Sequence, residues 1–274
     1  MSSPSGSSRF VGQVAFITGA ARGQGRAEAV RFAQEGADII AVDICRTMRS
    51  TAYAGATADD LRETVRLVEA EGRRIVATEA DVRDFAALDA ALRAGVDDLG
   101  RLDVVIANAG ICSAAMSWEL TPEQWQDTID TNLTGAFFTA KAAVPLLIEQ
   151  GTGGAIVFTS SVAGLRGLPF LAHYSASKHG LVGLCRSLAN ELGQFGIRVN
   201  SIHPNGVATG MTVPDLAPLT EQYAETLAPI FMQSLPDRFS QPADIANAVA
   251  WLASDEARHV TGIQLPIDLG ALTR

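Results

Sequence analysis

The segment from Val14 to Asp43 constrains the fold of this chain more than any other. An apolar run over residues 14–18 leads into a glycine-rich turn, a helical pattern follows as far as Gly36, and a second apolar run over residues 37–42 comes next. Short apolar runs that are bounded by glycines and separated by a helical pattern are typical of buried parallel strands joined by a helix. The segment therefore predicts a βαβ unit.

The rest of the chain continues this alternation of apolar runs and helical patterns. Further strands are predicted at residues 74–78, 102–107, 155–159, 197–202 and 263–267. Further helices are predicted at residues 59–71, 86–99, 122–149 and from the segment around Tyr174 to about Phe195. Alternation this regular predicts an α/β fold, a Rossmann-type doubly wound parallel sheet of about seven strands with helices on both faces.

The pattern also predicts how the chain is divided. We expect one Rossmann-type catalytic domain over residues 12–274, preceded by a flexible tail over residues 1–11 that begins with a run of Ser, Gly and Pro. Two irregular stretches interrupt the domain, an insert at about 44–58 and a proline-containing loop at about 209–241. A long loop inside a compact domain is usually functional, and we expect the later loop to border a substrate.

The net charge and the cysteines argue against several classes of protein. A net charge of -9 disfavours a nucleic-acid surface, because nucleic acids are themselves anionic. No apolar run is long enough to cross a bilayer, and the tail lacks the apolar core of a signal peptide. The three cysteines are scattered, match no metal-ligand spacing and suit a reducing compartment. We therefore predict a cytoplasmic protein that binds no metal, no nucleic acid and no membrane.

The glycine turn Gly19-Ala20-Ala21-Arg22-Gly23-Gln24-Gly25 is a candidate phosphate-binding site. Glycines let backbone amides approach a pyrophosphate, and the helix that follows directs its positive end at the phosphate charge. The spacing is Gly-x-x-x-Gly-x-Gly, which an ordinary tight turn could also show. Because the turn lies directly between a strand and a helix, we favour dinucleotide binding.

Asp43, at the end of the second strand, favours NAD over NADP. A carboxylate there can accept hydrogen bonds from the adenosine ribose hydroxyls and would repel a 2′-phosphate. Arg22 and Arg46 point the other way, because either could hold a phosphate. The alternative for Asp43 is a strand-end aspartate that caps a turn.

Tyr174 and Lys178 form the candidate catalytic pair. Residues four apart lie one above the other on a helix, and an ammonium beside a phenol is expected to lower the tyrosine pKa towards working pH. Such a tyrosine can exchange a proton with an alcohol oxygen. A tyrosine and a lysine one turn apart are common on helices, however, so the pattern alone does not establish the role.

Three polar residues are further candidates. Ser160 and Ser161 follow a predicted strand, at the edge of the sheet where ligands bind, and either hydroxyl could bond a substrate oxygen. Asn132 lies in an apolar helical pattern that disfavours asparagine, so it is either kept for hydrogen bonding or is a satisfied core amide.

Taken together, these motifs resemble those of the short-chain dehydrogenase/reductase family. Their order and spacing match from about Gly12 to Gly270, and the matching motifs are Thr18-Gly19-x-x-x-Gly23-x-Gly25, Asn108-Ala109-Gly110, Asn132, Ser161, Tyr174-x-x-x-Lys178 and Pro204-Asn205-Gly206-Val207-Ala208-Thr209. Ser161 stands thirteen residues before Tyr174, the separation usual in that family, so the resemblance selects Ser161 over Ser160.

The resemblance implies an NAD-dependent enzyme and a role for each catalytic residue. Tyr174 would be the general acid/base, Ser161 would hold the substrate oxygen, and Lys178 would bind the nicotinamide ribose and lower the Tyr174 pKa. Asn132 would hold a water of a proton relay. The implied NAD contacts are Gly19, Arg22, Gly23, Gln24, Gly25, Asp43, Ile44, Asp81, Val82, Asn108, Ala109, Gly110, Tyr174, Lys178, Pro204, Gly206, Val207 and Thr209. The resemblance also implies a homotetramer.

A narrower resemblance, carried by residues 19–26, 41–45 and the insert, is to the actinobacterial subfamily of carveol dehydrogenases associated with mycofactocin. It implies a lipophilic secondary alcohol or its ketone, such as a terpenoid, as substrate and a mycofactocin-type electron acceptor. The insert would lie over the adenosine half of NAD, with Met48 and Tyr53 as cover and Arg46 and Arg49 on the pyrophosphate, or it is a surface loop. The rival function is a non-catalytic NAD-binding sensor on the same fold.

Overall fold

Seven parallel strands form a single sheet in the computed structural model, which describes residues 8–273 of the chain. The strand order is β3-β2-β1-β4-β5-β6-β7, and the strands are β1 (Val14–Thr18), β2 (Asp38–Asp43), β3 (Ile75–Glu79), β4 (Val104–Ala107), β5 (Gly154–Thr159), β6 (Ile197–Pro204) and β7 (Gln264–Ile267). This is the order of a doubly wound Rossmann-type sheet. The predicted fold class is confirmed.

Within residues 8–273, eight α-helices connect or flank these strands. They are α1 (Gly23–Gln34), α2 (Ala58–Ala70), α3 (Phe85–Leu99), α4 (Pro122–Ile129), α5 (Gly135–Gln150), α6 (Ala172–Leu192), α7 (Leu216–Gln222) and α8 (Pro242–Ala253). Local sequence explains several of their starts. Thr57 begins α2 with a capping box to Asp60, and Thr121 begins α4 with a capping box to Gln124 and a proline at the next position.

Two apolar cores cover the two faces of the sheet. One contains buried residues of α3, α5 and α6, and the other contains buried residues of α1, α2 and α8. All five residues of β1 are buried, which is why this strand is a continuous apolar run and not an alternating one. The carboxyl ends of the strands are left for a ligand, as is usual in such sheets.

The single helix predicted at residues 122–149 is interrupted in the structure. A π-helical turn, Asp130–Thr134, lies between α4 and α5 and contains Asn132. Such turns are common at functional sites, because the wider coil moves side chains out of the regular register. The interruption could not be expected from apolar periodicity, since the pattern continues through it.

Two helices after β6 were not predicted. The irregular loop at 209–241 contains the short helix α7, and α8 follows it directly. The side chains of α8 are small or apolar on several sides, and six of them are buried, so the segment lacks the polar face by which helices are recognised.

The predicted tail is shorter than expected. Phe10 is fully buried and its ring lies 4.5 Å from that of Phe32. Arg9 forms ion pairs with Glu35 and Glu256. Residues 9 and 10 therefore belong to the domain, because they cover the end of α1, whereas residues 1–7 of the predicted tail lie outside the described part of the chain.

Candidate active site

A cavity of about 900 Å³ opens at the carboxyl ends of the strands. Its lining includes the glycine turn after β1, the ends of β2, β4 and β5, and part of α6. The chain order of the sheet reverses between β1 and β4, and ligands of open α/β sheets bind in the crevice at such a point. The structure therefore brings most predicted cofactor residues into one cleft.

The glycine turn packs so closely that larger residues would not fit. A Cβ atom on Gly25 would lie 2.2 Å from the carbonyl oxygen of Gly19, and Gly19 itself has a φ of +69°. Asn108 donates from Nδ2 to the carbonyl oxygen of Thr18 at 3.0 Å. Gln24, which lines the cavity, has a buried Oε1 without a hydrogen-bond partner within the described chain. A tight backbone cradle at the start of α1 fits the phosphates of a dinucleotide.

Asp43 lies in the cavity wall and also caps the turn. Its carboxylate accepts hydrogen bonds from the backbone N–H groups of Ala21 and Cys45, both at 3.0 Å. Each carboxylate oxygen has a second lone pair, so capping and ribose binding are compatible. The capping alternative is thus present in the structure, and ribose binding by Asp43 stays a prediction.

The two arginines that could have held a 2′-phosphate are engaged elsewhere. Arg22 donates to the carbonyl oxygens of Ala54 and Gly55 in the insert. Arg46 pairs with Asp81 at 2.8 Å. Arg22 thus holds the insert and Arg46 pairs with a carboxylate, and this arrangement favours NAD.

Asp81 and Val82 lie in the wall of the cavity below the insert, together with Ile44. Burial opposes ionisation of Asp81, but the hydrogen bonds and charge of Arg83 outweigh it and hold the pKa of that carboxyl below its usual value. Arg83 also pairs with Asp127, which ties this wall to α4.

The predicted catalytic residues meet at the other end of the cavity. Tyr174 and Lys178 lie one turn apart on α6, with the Lys178 Nζ atom 5.5 Å from the centre of the Tyr174 ring. The Ser161 hydroxyl hydrogen-bonds to Tyr174. Ser160 instead donates to the carbonyl oxygen of Lys178 at 3.0 Å. The geometry thus agrees with the choice of Ser161 as the substrate-facing serine.

The protonation of this pair differs from the expectation. Burial raises the pKa of Tyr174, and the nearby Cys112 thiol adds to the effect, while the Ser161 hydrogen bond opposes it. Burial also lowers the pKa of Lys178 to about 8. The expected lowering of the Tyr174 pKa by Lys178 is therefore wrong for the protein alone, because desolvation of the phenol outweighs an ammonium that donates to the carbonyl oxygen of Thr159 at 2.7 Å.

Asn132 has a structural task that the sequence did not reveal. Its Oδ1 atom accepts from the backbone N–H of Ile111 at 2.8 Å. Its Nδ2 atom donates to the carbonyl oxygen of Ile111 at 2.9 Å and to the Ser177 hydroxyl at 3.2 Å. Both amide hydrogens are used, so only the remaining Oδ1 lone pair could bind the water of a relay. Its main effect is to fix Ile111 in the cavity wall.

The segment after β6 closes the cleft beside the glycine turn. Pro204, Gly206, Val207 and Thr209 all line the cavity. A Cβ atom on Gly23 would lie 3.2 Å from the Thr209 methyl group, so this segment and the glycine turn are in contact. These residues line the same cleft as the glycine turn, and their contact with a cofactor stays a prediction.

Sequence reasoning missed how far the insert reaches. The Tyr53 hydroxyl accepts from the backbone N–H of Cys112 at 3.1 Å, and burial raises the pKa of Tyr53 to about 12. The insert therefore extends from Asp43 to the catalytic end of the cleft and is not confined to the adenosine side. Arg49 is exposed and lines a separate small cleft with Thr121, so its predicted contact with the pyrophosphate does not fit. The sequence signal for this reach was Tyr53, the one aromatic residue of the insert.

Comparison with known proteins identifies the family. A family model described as enoyl-(acyl carrier protein) reductase matches residues 19–271. The structure of a short-chain dehydrogenase from Mycobacterium paratuberculosis bound to NAD superposes with a TM-score of 0.94 at 50% identity, and the match covers 97% of this chain and 100% of that one. The chain belongs to the short-chain dehydrogenase/reductase family.

Two further relatives of the family carry a more specific name. The (-)-trans-carveol dehydrogenase of Rhodococcus erythropolis is 46% identical over 96% of this chain and 98% of its own length. The structure of a carveol dehydrogenase from Mycobacterium avium in complex with NAD has a TM-score of 0.89 at 47% identity, covering 97% of this chain and 99% of that one. The predicted resemblance to carveol dehydrogenases is confirmed.

An apolar cluster borders the catalytic end of this short-chain dehydrogenase cleft. Its buried members are Cys112, Ala114, Met116, Phe170 and Leu171, and Tyr174 and Phe231 pack against it. Trp118, Met232 and Leu235 lie apart from this cluster, because each is more than half exposed and none lines the cavity. No helix within residues 8–273 is both long and apolar enough to span a membrane.

Proposed function

We propose that this protein is an NAD-dependent dehydrogenase that transfers a hydride between a lipophilic secondary alcohol and nicotinamide, with Tyr174 as general acid/base. The observation that carries the proposal is the meeting of Ser161, Tyr174 and Lys178 where the dinucleotide cleft joins the apolar cluster. A protein that only senses NAD would not need a serine and a phenol hydrogen-bonded together at that junction.

The residues of the chain divide the work of alcohol oxidation. The Ser161 hydroxyl donates to the substrate oxygen and holds it beside Tyr174. The Tyr174 phenolate, which Lys178 stabilises electrostatically, accepts the hydroxyl proton as the carbonyl forms and becomes the neutral phenol. When bound, NAD accepts the hydride from the alcohol carbon. In the reverse direction the neutral Tyr174, whose pKa is raised by burial, is a suitable proton donor to the ketone oxygen.

NAD is the cofactor that the cleft fits best. Asp43 presents a carboxylate at the adenosine end, Arg22 and Arg46 are engaged with the chain itself, and the glycine turn leaves room for a pyrophosphate. The family relatives solved with NAD support the same choice. Gly19, Gly25, Asp43, Lys178 and Thr209 would hold the dinucleotide along the cleft.

The substrate class follows from the apolar cluster. A pocket with apolar walls and a few convergent polar groups binds a ligand with one polar function. Here Ser161 and Tyr174 line the cavity where it meets the apolar cluster. Together with two relatives named carveol dehydrogenase, this supports a terpenoid alcohol such as carveol.

The insert supports a tightly held cofactor. Arg22 fixes it at Ala54 and Gly55, and Tyr53 fixes it to Cys112. The insert is thus attached to both sides of the cleft, and a cover of this kind slows dissociation of the ligand beneath it. A mycofactocin-type acceptor that reoxidises the bound cofactor in place would suit such an enzyme.

We also propose a cytoplasmic homotetramer. Three free cysteines suit a reducing compartment. The helical run of α4 and α5 exposes Trp125 and Phe137, and such apolar side chains on long helices favour pairing across a two-fold axis. Residues 263–272 would form the second interface.

A screen of alcohols tests the proposed function. The purified protein is mixed with NAD and matched alcohols, and reduced nicotinamide is followed at a fixed wavelength. We expect cyclic apolar secondary alcohols to have a kcat/KM at least ~10-fold above those of polar polyols or primary alcohols of equal size, because each apolar carbon contributes burial energy. Turnover confined to polar substrates would contradict the proposal.

A further inference from the structure

His203 lies beside the catalytic serine without any contact with solvent. It is the seventh residue of β6, directly before Pro204, and its side chain is fully buried. Its Nδ1 atom lies 2.7 Å from the carbonyl oxygen of Ser161, and its Nε2 atom lies 2.9 Å from the Ser201 hydroxyl. The reaction proposed above does not use this side chain.

The hydrogen bonds of His203 select one tautomer. A carbonyl oxygen can only accept, so Nδ1 carries the hydrogen and donates to Ser161. Nε2 is then unprotonated and accepts from the Ser201 hydroxyl. Burial lowers the pKa of His203 to about 4, and the charges of Lys178, His179 and Arg186 act in the same direction. The ring is therefore neutral near pH 7 and holds a single arrangement of its hydrogens.

Ser161 is held by two consecutive residues of β6. His203 donates to its carbonyl oxygen, and the carbonyl oxygen of Pro204 accepts from its hydroxyl at 3.4 Å. The Ser161 hydroxyl also accepts from the backbone N–H of Ala163 at 3.1 Å. The bond from His203 is the shortest of the three and fixes the backbone from which the Ser161 side chain projects.

We propose that His203 is a positioning residue, which holds the Ser161 backbone so that the Ser161 hydroxyl meets the substrate oxygen beside Tyr174. The inference rests on the catalytic role proposed for Ser161. It predicts that the hydrogen bond from Nδ1, and not the size of the ring or the bond to Ser201, is what the reaction requires.

Two substitutions separate the two ring nitrogens. In His203→Asn the side-chain amide nitrogen can take the place of Nδ1 and keep the bond to Ser161. In His203→Gln the amide reaches the place of Nε2 and can keep only the bond to Ser201. We expect His203→Asn to retain kcat within about threefold, and His203→Gln to lose about 10- to 100-fold, as a small misplacement of a reacting group does. NAD affinity, measured by fluorescence titration, should be unchanged in both.

A double-mutant cycle tests whether His203 acts through Ser161. His203→Gln should lower kcat in the native background but not in the background of Ser161→Ala, because the hydroxyl that it positions is then absent. If the residual rate of Ser161→Ala is too low to measure, the comparison of the Asn and Gln variants decides.

The outcomes distinguish the inference from the proposed function. Full activity of Ser161→Ala would contradict the proposed function itself. If Ser161→Ala is impaired but His203→Asn and His203→Gln have equal kcat, or the His203→Gln loss is unchanged in the Ser161→Ala background, then His203 does not position Ser161. A purely structural role would lower thermal stability and NAD affinity in both variants without separating them in kcat.

Discussion

At the scale of single residues, Asp43 shows how one carboxylate can serve the fold and the ligand together. Its carboxylate accepts from the backbone N–H groups of Cys45, directly after β2, and of Ala21, in the glycine turn after β1, and the residue also lines the cleft. The cap requires an acceptor, whereas exclusion of a 2′-phosphate requires a negative charge. An asparagine has one acceptor oxygen, so it would keep one of the two hydrogen bonds and lose the negative charge.

We therefore predict that Asp43→Asn raises the kcat/KM for NADP relative to the kcat/KM for NAD at least ~10-fold. This change corresponds to roughly 1.4 kcal/mol of removed repulsion. The matched control is Asp38→Asn, at the opposite end of the same strand, which should leave the ratio unchanged. Steady-state kinetics with both cofactors measure the effect. An unchanged ratio in Asp43→Asn would mean that the carboxylate does not face the ribose.

The residue scale also shows the limit of sequence patterns. The spacing of Tyr174 and Lys178 correctly placed the two side chains one turn apart, because helical geometry is local. The direction of the Tyr174 pKa was wrong, because it depends on burial by segments distant in sequence. The partners of Asn132 and Tyr53 were likewise invisible, since Ile111 and Cys112 reach them only through the tertiary fold.

At the scale of secondary structure, α1 contains a buried acid that the reaction does not use. Glu28 is fully buried, and neither carboxylate oxygen has a hydrogen-bond partner within the described chain. Burial raises its pKa from 4.5 to about 8. Between pH 4.5 and about 8, the folded protein keeps Glu28 protonated, whereas the unfolded chain releases the proton. The free energy of unfolding therefore falls as the pH rises through this range.

We predict that Glu28→Gln stabilises the protein at pH 7.5 by on the order of 1–3 kcal/mol, and much less at pH 5. The contrasting variant is Glu35→Gln, at the end of the same helix. Ion pairs with Arg9 and Arg31 outweigh burial there and hold the Glu35 pKa below its usual value. Glu35→Gln should therefore destabilise the protein at pH 7.5, and the loss of stability should shrink as the pH falls towards that lowered pKa. Thermal melts at both pH values measure the effects, and a destabilised Glu28→Gln at pH 7.5 would contradict the account.

The insert is the second element with a testable task. We predict that NAD co-purifies with the protein and exchanges slowly, and that Arg22→Gln, which releases the carbonyl oxygens of Ala54 and Gly55, speeds exchange at least ~10-fold through the dissociation rate. Replacement of residues 46–55 by a tight turn should have a larger effect. Arg62→Gln, on the exposed surface of α2, is the matched control.

Exchange is measured by mixing the purified protein with labelled NAD and separating free from bound label at intervals. Protein that is empty after purification, with exchange within seconds in every form, would show that the insert is a surface loop. The catalytic residues would be untouched by that result, since none of them lies in the insert.

Element boundaries illustrate what local signals can predict. The central strands β1, β4 and β5 were found because both faces of the sheet are covered there, which makes each of them an almost uninterrupted apolar run. The start of α4 was found because Thr121 and Pro122 mark it. The π-helical turn at 130–134 was not, since it is stabilised by packing and not by a change in sequence pattern, and α8 was missed because it is buried on too many sides.

At the scale of the whole molecule, the fold follows from the alternation of strands and helices, but assembly does not. Folding buries part of the apolar surface of the long helices within one chain, as at Leu147 of α5, which is fully buried. What remains exposed on α4 and α5 is Trp125 and Phe137, at 43% and 42%.

We predict a tetramer in light scattering at micromolar concentration, and smaller species for Phe137→Glu, because a buried unpaired carboxylate opposes helix pairing. Val11→Glu, at a position that is 66% exposed, is the control and should remain a tetramer. A monomer mass for the native protein would contradict the assembly.

The central claim, that Tyr174 transfers the proton, is tested most directly by Tyr174→Phe. The substitution removes one oxygen and leaves the ring to pack in the cleft. We predict that kcat for a secondary alcohol falls at least ~10²-fold, the range of a lost general acid/base, while the dissociation constant of NAD stays within about threefold. Turnover by Tyr174→Phe within a few-fold of the native rate would contradict the account.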